Sequence, residues 1–153
     1  MIIIEGPNGS GKTTLAHKVQ KITGMPIIHA TRPKNRLHSI IASIRQTFYS
    51  GVILDRAHPI SRIVYQKKVV TKFERKIQDW CIKRMYNKGV IIYCTGEGPR
   101  DFNKPHYTPE LIKETTENQA EIRQVYNDIM MKIPHIKYDF KVKNCLQIDS
   151  YLI

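Results

Sequence analysis

Three features of the sequence predict an α/β fold, a parallel sheet of about five strands covered by helices on both faces. Short β-branched apolar runs recur at Met1 to Glu5, Val52 to Leu54 and Val90 to Cys94. Apolar residues at helical spacing fill the stretches between them. Glycines at 24, 51 and 89 punctuate the boundaries, where a chain leaving a helix or entering a strand needs a turn. A length of 153 residues suits a single domain with one core, and residues 1–153 are read as such.

The elements follow in order. After the first strand, Leu15, Ala16, Val19 and Ile22 mark the inner face of a helix that Gly24 ends. Pro26 to His29 reads as a second short strand leading into Thr31-Arg32-Pro33. From Arg36 to Tyr49, Leu37, Ile40, Ile41, Ile44 and Phe48 share one helical face, which predicts an amphipathic helix with that face inward. Val52 to Leu54 is compact enough for a buried parallel strand, with Asp55 and Arg56 emerging at its carboxyl end. Pro59 marks a break, and one or two helices are expected from Ser61 to Asn87. Trp80 and Tyr86 on that segment are expected in the core, and Tyr93 and Cys94 in the sheet interior. The polar stretch from Thr95 to Thr108 is the one long loop. Tyr107-Thr108-Pro109-Glu110 forms a helix start, with Thr108 as N-cap and Tyr107 stapled to Ile112. That helix runs to Ile133 with Ile122, Val125, Ile129 and Ile133 inward, and Pro134 stops it. Weaker strand patterns follow at Ile136 to Phe140 and Cys145 to Ile148.

The most specific chemistry lies between the first strand and the first helix. Gly6-Pro7-Asn8-Gly9-Ser10-Gly11-Lys12-Thr13-Thr14 meets every requirement of a phosphate-binding loop: two glycines with four residues between them, then Lys and Ser/Thr. Glycines allow a tight turn in which successive N–H groups point inward around a di- or triphosphate, and the helix that follows presents its positive end. Lys12 is placed to reach the β- and γ-phosphates and Thr13 to hold Mg²⁺. Strand, loop and helix in this order make the chain a P-loop α/β sandwich, with ATP and Mg²⁺ as its expected cofactors.

Composition narrows the partners. Twenty-five Lys and Arg against 13 Asp and Glu give a net charge of +12. Residues 31–104 hold 16 basic and 5 acidic residues, so nearly all the excess sits in the middle of the chain. A polyanion-binding face requires such a concentration. Cys81, Cys94 and Cys145 are an odd set without Cys-x-x-Cys spacing, which points away from a disulfide framework or a structural zinc. No stretch approaches the apolar length of a membrane span, and the four-residue apolar start belongs to a strand. A soluble, intracellular protein without a membrane partner is expected.

A phosphate loop serves switches, motors and kinases alike, so the remaining polar residues must decide. Asp55, ending an apolar strand, can orient the hydration shell of Mg²⁺ or take a proton from an attacking hydroxyl. Arg56 beside it can bind phosphate through both arms of its guanidinium or form a structural ion pair. His17 and His38 fall in helical patterns and read as packing or surface residues, and His106 has no partner by spacing.

With these blocks in hand, the chain resembles the thymidylate kinases and their small bacteriophage-encoded nucleotide-kinase relatives. Gly6 to Thr14, Thr31-Arg32-Pro33, Asp55-Arg56, and Ser61 with Val64-Tyr65-Gln66 carry the resemblance, in the family's order, over about the first 70 residues. It implies a kinase whose acceptor pocket is lined by Asn8, Arg32, Asp55, Arg56, Ser61, Tyr65 and Gln66, groups that suit a pyrimidine's face and edge. It also implies a basic lid over the transferring phosphoryl group, with Arg100 or Lys104 in the lid-like loop at 95–108 as candidates.

Two departures redirect the choice of acceptor. The family usually has an acidic residue at the third loop position, facing the acceptor sugar's 3′-hydroxyl, and this chain has Asn8. In a polynucleotide that oxygen is esterified beside a negative phosphate, which repels a carboxylate and tolerates an amide. The chain is also short for an enzyme that encloses a small acceptor. With the basic centre, these departures favour a hydroxyl in DNA, such as that of a 5-hydroxymethyluracil base, with base extrusion where the substrate is duplex. A free deoxynucleoside monophosphate kinase is the alternative, and a nucleotide-gated DNA-binding protein without transfer activity is the second.

Overall fold

The computed structural model describes residues 1–31, 33, 35–65, 70–96 and 118–142. Five strands, β1 (Ile2–Glu5), β2 (Ile27–His29), β3 (Ile53–Asp55), β4 (Val90–Cys94) and β5 (Ile136–Tyr138), form one sheet in the order β2-β3-β1-β4-β5. Every pairing is parallel. The helices are α1 (Lys12–Thr23), α2 (Arg36–Gln46), α3 (His58–Tyr65), α4 (Lys72–Tyr86) and α5 (Gln119–Met130). Parallel order requires each strand to return through a crossover, and the helical segments supply it.

Alternation along the strands divides the core in two. Ile3, Leu54, Ile91 and Tyr93 face one side and pack with Ile60 and Ile63 of α3, Met85 of α4 and Tyr126 and Ile129 of α5. Ile2, Ile4, Ile53, Ile92 and Cys94 face the other and receive Leu15, Ala16 and Val19 of α1. Helices therefore cover both faces, as predicted. Cys81 and Cys94 are buried thiols.

Several sequence expectations are corrected. The segment expected from Ser61 to Asn87 is two helices, and the first begins at His58, so Pro59 sits in its opening turn, where its missing N–H costs no bond. Ile22 on α1 is exposed. The largest departure is α2: its buried residues are Ser39, Ser43 and Gln46, whereas Leu37, Ile41 and Phe48 are 64%, 52% and 64% exposed. Two of these polar side chains bond locally: Ser43 Oγ donates to Ser39 O at 2.9 Å, and Gln46 Oε1 accepts from His58 N at 2.7 Å, while the small Ser39 side chain packs with its Oγ unpaired. Trp80, expected in the core, is 48% exposed.

The inner sides of α2, α3 and α4 meet at a buried ionic cluster. Glu74 accepts from Arg62 Nε at 2.6 Å and from Arg36 Nε at 2.9 Å. Thr71 caps α4, accepting the Glu74 N–H at 3.3 Å. The expected start at Thr108 and Pro109, the Tyr107–Ile112 staple and the strand at Cys145 to Ile148 lie outside the described residues. Within them, α5 presents Val125 and Ile129 to the core, with Ile122 and Ile133 partly buried against it, as predicted.

Candidate active site

At the carboxyl ends of β1 and β3 the chain makes two sharp departures, and together they build the site. The first follows Glu5. Gly6 adopts φ 148°, and a Cβ there would run into the Cys94 carbonyl. Gly11, at φ 81°, is the N-cap of α1, and Ser10 Oγ donates to Pro7 O at 2.8 Å to close the loop between them. A backbone cradle whose floor excludes a Cβ, leading into a 12-residue helix, has the shape a phosphate chain needs.

Lys12 opens α1 and is buried, with Nζ donating to Pro7 O at 2.5 Å and to Ser10 Oγ at 3.4 Å. Burial, with the Arg56 charge second, pulls its ammonium down to about 7. On the next residue, Thr13 Oγ1 donates to Asp55 Oδ2 at 2.9 Å. Asp55 is buried at the end of β3, and Oδ2 also lies 3.0 Å from Nδ1 of His29, its neighbour in register on β2. Among the described residues no group of three or more His, Cys, Asp and Glu could hold a metal ion. One carboxylate and one hydroxyl beside a phosphate cradle still fit Mg²⁺, a hard cation that takes most of its oxygens from water and substrate phosphates.

The second departure is Arg56, whose φ of 78° makes it the one described residue other than glycine with positive φ. Its N–H donates to Ile4 O at 3.0 Å, continuing the β1–β3 ladder, and the Ala57 N–H donates to the Glu5 carboxylate, which ties the two strand ends together beyond the sheet. The turn aims the guanidinium towards the phosphate loop. Nη1 donates to Tyr65 OH at 2.8 Å and to Tyr126 OH at 3.4 Å, and Nη2 donates to Asn8 Oδ1. Tyr126 OH in turn donates to Glu5 Oε2 at 3.1 Å. Burial pushes the Glu5 carboxyl up, and Arg56, the Ala57 N–H, Lys12 and Tyr126 oppose it.

The structure thus brings Gly6, Asn8, Gly9, Ser10 and Gly11 on one loop together with Lys12, Thr13 and Thr14 in the first turn of α1, with Asp55, Arg56 and Tyr65 against them. Ser61 lies one turn before Tyr65 on α3, and its buried Oγ has no hydrogen-bond partner. Arg32, Gln66, Arg100 and Lys104 lie outside the described residues. Three participants were missed. Glu5 ends an apolar strand just as Asp55 does, so the same signal marks it. His29 ends a strand as well. Tyr126 shares the inward face of its helix with Val125 and Ile129, and nothing in local spacing links it to Glu5, 121 residues away.

This strand order, loop and pair of strand-end residues define a class, the P-loop kinase fold, and solved structures bear that out. The chain is similar to the Bacillus subtilis YorR protein in complex with phosphorylated GDP, at 21% identity and a TM-score of 0.68, over 99% of this chain and 92% of that one. It is similar to the deoxyadenosine kinase of M. mycoides with bound dATP, at 19% identity and TM-score 0.58, over 99% and 96%. The same enzyme with its products dCMP and dCDP matches at 18% identity and TM-score 0.57, over 99% and 95%. No protein-family model matches the chain, and no curated protein does. No helix among the described residues is long and apolar enough to cross a membrane.

Proposed function

We propose that this chain is an ATP- and Mg²⁺-dependent kinase that transfers the γ-phosphoryl group to a hydroxyl of a pyrimidine nucleotide unit, with DNA as the favoured acceptor. One observation carries the phosphotransfer reading: the phosphate loop meets the Thr13–Asp55 oxygen pair on one side and Arg56, bound to Asn8 and Tyr65, on the other. Donor-side and acceptor-side groups therefore converge on one point. Loop amides and Lys12 hold the triphosphate. Thr13 and Asp55 hold Mg²⁺, which when bound neutralises charge on the β- and γ-oxygens. Asp55 was open to two roles, and its bonds to Thr13 and proximity to His29 favour the metal-orienting one. Arg56, with Arg100 from the lid, offsets charge developing on the transferring group. The acceptor hydroxyl oxygen bonds to Pγ as the bridging oxygen leaves with ADP, and the hydroxyl proton is released to water.

Asn8, Arg32, Ser61, Tyr65 and Gln66 bind the acceptor in this reading. DNA is favoured by the amide at position 8 and by the basic centre of the chain. The similar structures favour a second reading, a kinase for free deoxynucleotides, because they carry small nucleotides on the same fold. They also weaken the argument from shortness, since the chain spans 92% or more of theirs.

The test is transfer from γ-labelled ATP to free deoxynucleoside monophosphates, plain DNA and DNA containing 5-hydroxymethyluracil. Label in polymer that is lost in Lys12→Ala and Asp55→Ala supports the DNA reading. Label confined to free nucleotides replaces it with the second, and ATP binding without label in any acceptor rejects both.

A further inference from the structure

The inverted α2 leaves an outward face that the kinase site does not use. It carries Leu37, Ile41 and Phe48 on α2 and just beyond it, and Phe73 and Trp80 on α4. The two helices run side by side in the same direction: Arg36, at the start of α2, bonds Glu74 near the start of α4, and Phe48 meets Arg84 near its end. At that end rings and cations alternate. The Arg84 guanidinium lies 5.2 Å from the Phe48 centroid and 5.6 Å from that of Trp80, and Lys88 Nζ lies 5.9 Å from Phe48. Arg84 Nε is buried and has no hydrogen-bond partner.

Charge selects the occupant. Residues 35–48 and 71–88 hold eight Lys and Arg against two acids. Both acids are already committed, Glu74 to Arg62 and Arg36 and Asp79 to Arg75. A second copy docked on this face would set cations against cations with no uncommitted carboxylate to receive them. A polyanion with flat, apolar faces satisfies rings and cations together.

We propose that the outward face of α2 and α4 binds single-stranded nucleic acid, with bases stacking on Trp80 and Phe48 and phosphates meeting Arg84 and Lys88. From Phe73 to Trp80 the helix rises about 10 Å, room for more than one base. This face lies outside the phosphate-loop cluster, and binding there is independent of which acceptor the kinase uses.

Trp80 is the only tryptophan in the chain, so its fluorescence reports this face alone. The full-length protein is titrated with an oligothymidylate of about 20 nucleotides while tryptophan emission and oligonucleotide anisotropy are followed together. Saturable quenching is expected, with affinity falling more than about tenfold between 50 and 200 mM salt. Phe48→Ala and Arg84→Ala, at exposed or half-exposed positions, should each weaken binding about tenfold or more while leaving the melting temperature and transfer to free nucleotide unchanged. Lys12→Ala should keep the quenching. Quenching without phosphorylation of DNA defeats the DNA-acceptor reading and leaves this one standing. Phosphorylation of DNA without quenching does the reverse. Oligonucleotide binding that Phe48→Ala and Arg84→Ala leave intact overturns the platform. So does a Trp80 signal that tracks protein concentration with dimers in sedimentation, which would assign the face to a second copy.

Discussion

Replacing Glu74 with Gln removes the one negative charge at the junction of α2, α3 and α4. Glu74 is fully buried, and Arg62, its closer partner, has a side chain only 8% exposed. Arg36 is half-exposed and regains water when its partner is lost, so its share is about 1 kcal/mol or less. Arg62 has no such recourse: stranding a buried charge costs about 3–5 kcal/mol. The Gln oxygen can still accept one of the bonds, at 2.6 Å in the native protein, which places the expected loss near 3 kcal/mol. Against a total stability of about 5–15 kcal/mol this is severe, and it corresponds to a fall in melting temperature of about 6–12 °C. Urea unfolding followed by circular dichroism measures it. Arg62→Met with Glu74→Leu removes the stranded charge and should recover most of the loss. A Glu74→Gln loss under about 1 kcal/mol, or a double variant no better than the single, would refute the assignment of the cost to a stranded Arg62. Because α3 also carries Tyr65, the destabilised protein should lose acceptor affinity before ATP affinity.

Nucleotide binding should take up a proton. In the free protein the buried Lys12 loses its proton above about pH 7, and a triphosphate restores the charge, so ATP affinity falls about tenfold per pH unit above 7 and is flat in this respect below it. Calorimetry in buffers of different ionisation enthalpy reads the uptake, and affinity constant from pH 7 to 9 counts against a neutral Lys12. For stability the sign is opposite. A lysine depressed in the folded state is bound by a proton longer in the unfolded chain, so this group lets stability rise with pH from about 7 to 10.5. Asp55→Asn should raise the Mg²⁺ concentration for half-maximal transfer by about 10–100-fold, read by metal titration at saturating ATP. Arg56→Lys keeps the charge and loses the fork that reaches Asn8 and Tyr65 at once; acceptor kcat/KM should fall about 100-fold with the KM for ATP unchanged.

Legibility in the sequence follows the range of the interactions. The phosphate loop is readable because its chemistry demands consecutive residues. The sheet is readable because strands buried on both faces are continuous apolar runs. Asp55 is found by its place at a strand end, and Glu5, immediately before the loop, offers the same signal. Periodicity places the wrong face of α2 inward because it reports which side is apolar and not which side is buried. Two small serines, of which Ser43 bonds its own helix, and one glutamine reaching His58 N let the polar side pack, and Glu74 binds arginines from two neighbouring helices at the same layer. Trp80 follows the same inversion. Tyr126 depends on packing that unites the first strand with the last helix, which no local pattern encodes.

One backbone torsion organises the candidate site. Asp55 and Arg56 are adjacent, yet Asp55 reaches Thr13 and His29 while Arg56 reaches Asn8, Tyr65 and Tyr126. A strand continued through both would only alternate their side chains across the sheet. The left-handed turn at Arg56 ends the strand instead and brings its side chain to Asn8 of the loop. Glycine would adopt that turn without strain, and arginine there costs about 1–2 kcal/mol. The cost is offset by bonds that this conformation sets up: Ala57 N–H to the Glu5 carboxylate, and the guanidinium to two tyrosines and Asn8. Glu5 is therefore a positioning residue. It holds the turn through Ala57 and the charge through Tyr126, so loss of its carboxylate should disturb Arg56 and leave the Thr13–Asp55 pair, on the other side of the strand end, in place.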